Sequence, residues 1–92
     1  KAKRQDADAL IERVAELRRA GKYRRAASVL RKALRSRWDR RTAQVLSYEL
    51  GQILQRHHDD GAAACRHWRR HQARYPGGRY AGAVAVALHD CP

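Results

Sequence analysis

Apolar residues recur along this chain at intervals of three and four, which is the period of a helix and not of a strand. Leu10, Val14 and Leu17 form the first such face, with Asp6 and Asp8 ahead of it, where carboxylates favour a helix N-terminus. Gly21, followed by Lys22 and Tyr23, is placed as the C′ glycine that stops this helix. Ala26, Ala27, Leu30, Ala33 and Leu34 predict a second helix over 24–36, with Arg25, Arg31, Lys32 and Arg35 on its outer side. Asp39 is a fitting N-cap for a third helix, which carries Ala43, Leu46, Leu50, Ile53 and Leu54 and runs to Arg56. Gly51 in its middle costs about 1 kcal/mol relative to alanine unless a close approach requires it. A turn over 57–61, with Asp60 as N-cap, leads into a fourth helix over 61–74 whose expected inner side is Ala64, Cys65, Trp68 and Gln72. Tyr75-Pro76-Gly77-Gly78 interrupts the pattern, because proline disfavours helix at the residue before it. A fifth helix over 79–90 then brings Tyr80, Val84, Leu88 and Cys91 to one face. No run has the alternation of a strand, so the expected fold is all-α, built of antiparallel helical hairpins with short turns.

The two halves repeat. Setting Ala26 on Ala64 also sets Leu30 on Trp68 and Trp38 on Pro76, at a period of about 38 residues. Gly21-Lys22-Tyr23-Arg24-Arg25-Ala26, followed by Leu30 and Ala33, resembles the turn and second helix of the tetratricopeptide repeat. Leu50-Gly51, Ala64, Trp68 and Pro76 follow the same pattern in the second copy. The chain departs from the family at Val14, at Trp38 in the proline position, at His71 and in a longer second turn. The resemblance implies two stacked repeats closed by a C-terminal helix, an α-solenoid type of architecture. It gives Gly51 a reason, the close approach of the paired helix. The junction Tyr75-Pro76-Gly77-Gly78-Arg79-Tyr80-Ala81 is similar to that of envelope-associated bacterial tetratricopeptide proteins. By that analogy the role is an extracytoplasmic, periplasmic scaffold that binds other proteins. The same resemblance points to a short groove lined by first-helix residues of each pair: Arg13, Glu16, Gln44, Ser47 and Tyr48.

Length and charge then narrow the picture. Ninety-two residues make a single domain, 1–92, and its abrupt start in a polar helical pattern reads as a piece of a larger protein. No apolar run approaches the roughly 18 residues that a membrane span needs. The net charge is +12, and between Arg18 and Arg41 eleven basic residues face one acidic residue, Asp39. Arg24, Arg25, Arg31 and Arg35 on the second helix, with Arg66, Arg69, Arg70 and Arg74 on the fourth, form the candidate basic surface. Such a surface attracts acidic proteins, anionic lipid or nucleic acid. Nucleic acid is the alternative partner to an acidic protein, but no recognition motif or exposed row of stacking aromatics accompanies the arginines.

The chemistry-bearing residues are few. Cys65 and Cys91 come level if the last two helices fold back on each other, since they lie about 13–15 Å and about 18 Å from the turn at 1.5 Å per residue. A disulfide is therefore expected, and with it an oxidising compartment; the alternative is two buried thiols. His67 and His71 are four apart, as a metal pair would be, but they sit among Arg66, Arg69, Arg70 and Arg74. They are read as solvated side chains, His57 and His58 as turn residues, and no metal is expected. Ser28, Ser36 and Ser47 all fall within predicted helices, without the strained turn of a catalytic serine. No phosphate-binding loop follows a strand. The expectation is a binding module without cofactor or catalysis.

Overall fold

The computed structural model describes residues 4–57 and 61–92. Among them are five helices and no strand: α1 (Arg4–Arg19), α2 (Tyr23–Ala33), α3 (Arg40–His57), α4 (Gly61–Arg74) and α5 (Ala81–His89). The all-α expectation holds. Each helix packs on the next in sequence. The core is made by Val14, Ala26, Ala27, Leu30, Leu46, Leu50, Ile53, Leu54 and Ala64, with Leu10, Leu17, Tyr23 and Trp38 packed against it.

The helix ends follow from local chemistry. Gly21 adopts φ +73°, and its N–H and that of Lys22 donate to the carbonyls of Arg18 and Leu17 at 3.0 and 2.8 Å. This is the pair of bonds that closes a helix on a left-handed glycine. α2 stops at Ala33, three residues before the expected end, because the chain tightens there. Arg35 and Ser36 bond back three residues, and the Trp38 indole N–H caps the Ala33 carbonyl at 2.7 Å. The Asp39 carboxylate accepts the Thr42 N–H at 2.9 Å, the N-cap bond expected of it. The proposed Asp60 cap and His58 lie outside the described residues. α5 is shorter than expected at both ends: before it Gly78 is held in turn bonds to Tyr75 and Ala81, and after it the Cys91 N–H bonds back three residues to Leu88.

Cys65 and Cys91 form a disulfide with a Cα–Cα separation of 5.8 Å. It ties α4 to the second residue beyond α5. No helix among the described residues is long and apolar enough to cross a membrane.

Candidate functional site

The fourth helix is rotated from its expected setting. Its buried face is Ala64, His67, Trp68 and His71, followed by Tyr75; Gln72 is exposed and Cys65 half-buried. His67 and His71 are therefore not solvated, contrary to expectation: they are 6% and 3% exposed. Four residues apart, both rings turn onto α3 and converge on Ser47. His67 Nε2 lies 2.7 Å from the Ser47 carbonyl oxygen, which can only accept, so Nε2 carries the proton. The Ser47 hydroxyl lies 3.2 Å from His67 Nε2 and 2.7 Å from His71 Nδ1. Accepting a share of the His67 proton, it donates its own to His71 Nδ1. That leaves His71 Nε2 buried without a hydrogen-bond partner.

Burial pushes the His67 imidazole below its ordinary 6.5; the bond to Ser47 opposes this, while the charges of Arg70 and Arg31 reinforce it. Burial also lowers His71, with His67 adding to the effect. Unfolding restores an ordinary value to both, so the unfolded chain takes up protons that the folded one resists. Their neutral, buried state is thus stable above about 6.5 and is increasingly disfavoured as pH falls through the lowered folded values. The urea midpoint should drop between pH 7.5 and pH 5.5, and His67→Leu/His71→Phe should flatten that dependence. A midpoint independent of pH in the parent protein would contradict the neutral cluster.

In this cluster a serine and a histidine are in contact, and among the described residues no carboxylate orients the imidazole, whose far nitrogen has no partner. The cysteines are bonded to each other, and no group of three metal-ligating side chains converges among the described residues.

The five residues expected to line a partner groove do not present themselves together. Gln44 and Ser47 are buried, 8% and 7% exposed. Gln44 Oε1 accepts the Arg79 N–H at 3.2 Å, and Tyr48 stacks on Tyr80 with ring centroids 4.1 Å apart. The physical reason is that α4 and the turn into α5 close over this side of α3. Only Arg13 and Glu16 remain exposed.

The arginines are distributed more usefully. Arg31, Arg66, His67 and Arg70 line a cavity of about 340 Å³ with Leu34, Leu50, Leu54 and Ala63. A second cavity, of about 510 Å³, is lined by Arg37, Trp38, Ala43, Ser47, His71, Arg74 and Tyr75. Leu34, His67 and Arg70 border both, so the two cavities adjoin over α3 and together make the α2/α4 groove, whose second part is walled by the α2–α3 connection and not by α2 itself. Among the described residues that line it there is no aspartate or glutamate. Arg24 and Arg25 lie elsewhere, around a cavity with Gly21, Lys22, Tyr23 and His57, where the Tyr23 and His57 rings stack at 3.6 Å. Arg69 donates to the Pro92 carbonyl at 2.6 Å, and Arg35 is exposed beside neither cavity. Of the eight basic candidates, four border the groove: Arg31, Arg66, Arg70 and Arg74.

These features define a class no finer than a small, basic, all-helical domain with a disulfide between α4 and the segment after α5. Compared with family models, curated protein sequences and solved structures, the chain gives no match.

Proposed function

We propose that this domain is a non-catalytic protein-interaction module, a tetratricopeptide-like stack of helical pairs that binds an acidic polypeptide. One observation carries the reading: a strongly cationic exterior whose arginines border a groove of two adjoining cavities with no acidic lining among the described residues. Fixed positive charge over a concave surface steers and holds anionic partners. The Cys65–Cys91 bridge supports an oxidising, extracytoplasmic setting, where disulfides persist. A periplasmic scaffold in a bacterial envelope complex is the form of this role that the repeat pattern suggests.

The second reading, a module for nucleic acid or another polyanion, draws on the same charge. Against it stands the use of the aromatics: Trp68 and Tyr75 are 1% and 6% exposed, and the Trp38 indole N–H is spent on Ala33. Few flat faces remain on which bases could stack. The two readings separate by fluorescence anisotropy with a labelled glutamate-rich peptide and a single-stranded DNA of equal charge. The peptide should bind with a Kd on the order of micromolar at 100 mM salt, and the DNA more weakly. Tighter DNA binding, falling linearly in log salt, would reverse the order of the two.

A further inference from the structure

The groove between α2 and α4 has more detail than a diffuse basic surface. Arg66, Arg70 and Arg74 are spaced four apart on α4, so they form a row along one side of the helix at steps of about 6 Å. Arg31 on α2 and Arg37 just beyond it border the same groove. Between the walls lies an apolar floor, Leu34, Ala43, Leu50 and Leu54. Arg31 and Arg70 both act electrostatically on His67, so their positive charges share one small region. Like charges held together in this way are relieved by an anion bound among them. Over an apolar floor that attraction is less screened than in open water. Guanidinium groups also match carboxylates two bonds at a time.

Resting on the binding-module reading, we propose that the α2/α4 groove is the site where an acidic, partly apolar polypeptide segment docks. Its carboxylates lie on Arg66, Arg70, Arg74 and Arg31, and its apolar side chains lie on the half-buried Leu34 and Ala43. Carboxylates repeat at about 6 Å on every fourth residue of a helix and at about 6.6–6.8 Å on every second residue of a strand. Either register meets the arginine row within the reach of a side chain. This site is distinct from the first-helix groove that the repeat resemblance implied, and charge complementarity selects its occupant.

The test uses a fluorescein-labelled peptide of four Glu-Leu-Glu-Ala repeats and two charge-matched double variants. Arg31→Glu/Arg70→Glu reverses both walls of the groove; Arg24→Glu/Arg25→Glu makes the same change of net charge at the start of α2. The groove variant should weaken peptide binding by about tenfold or more at 100 mM salt, and the control by less than about threefold. Unchanged circular dichroism would show that both variants remain folded. On titration of the parent protein, the amide resonances of Leu34 and Ala63 should shift. Equal loss in both variants would overturn the groove and leave general acidic-partner binding standing. No binding by the parent protein would overturn the module reading itself. Displacement of bound peptide by a stoichiometric amount of 16-nucleotide oligothymidylate would make nucleic acid the occupant and overturn the proposal.

Discussion

Trp68→Ala is expected to lower the unfolding free energy by about 3–5 kcal/mol, the usual range for truncating a buried tryptophan. In a 92-residue domain, whose whole stability is about 5–14 kcal/mol, that is about a fifth of the total or more. Trp68 is 1% exposed, and its indole N–H donates to Gln55 Oε1 at 2.9 Å. Its ring also meets Tyr48, His67 and His71 at centroid distances of 5.6, 5.7 and 6.0 Å. The far edge of the indole lies on Gly51, where an added Cβ would overlap Cη2, Cζ3 and Cζ2. Alanine at position 51 therefore gains about 1 kcal/mol of helix propensity but overpacks the α3–α4 interface at a cost of 1–3 kcal/mol or more, as a rough range. Gly51→Ala should destabilise the parent protein and stabilise, or leave unchanged, the Trp68→Ala variant. Urea unfolding of the four proteins in this cycle gives the coupling, expected to be on the order of 2 kcal/mol. Equal effects of Gly51→Ala in both backgrounds would show that the indole is not what requires a glycine.

Much of this packing is legible from residue type and spacing. The stop at Gly21, the cap at Asp39, the break at Pro76 and the close approach at Gly51 each depend on local chemistry. The apolar period of three and four residues gives all five helices to within a few residues. The histidine cluster was hidden for a physical reason. Among Arg66, Arg69, Arg70 and Arg74, the two histidines read as members of a solvated, charged face. Yet Ala64, His67, Trp68, His71 and Tyr75 follow one another at steps of three, one, three and four, which is one helical face anchored by a tryptophan. That spacing was the available signal. Burial of two imidazoles needed a hydroxyl and a carbonyl to meet them, and only the tertiary contact with Ser47 on α3 supplies both. The α2/α4 groove lies further from the sequence still. It depends on the distance between two helices that do not follow one another, which no local pattern encodes.

Reduction of the Cys65–Cys91 bond should have the other large effect, concentrated on α5. That helix has nine residues, below the roughly 12–15 at which isolated helices become even marginal in water. Its one fully buried side chain is Val84, and Val86 is 72% exposed. Its strong packing is on α4, with the Tyr48–Tyr80 stack and the Gln44–Arg79 hydrogen bond holding only the turn before it. The bridge closes a loop with a sequence separation of 26, for which the chain-entropy model gives a stabilisation of about 3.5 kcal/mol. At the usual sensitivity of domains this size, that corresponds to a fall in Tm on the order of 15–25 °C. Hydrogen exchange should show the loss first in residues 81–89, with the amides of α2 and α3 still protected. Cys65→Ala/Cys91→Ala should reproduce the effect without reductant, which separates loss of the link from chemical side effects. Mass spectrometry gives the control, a gain of two hydrogens on reduction. An unchanged melting curve after that gain would mean that α5 is held by its packing alone, and the bridge would then be a covalent accessory to an already stable end.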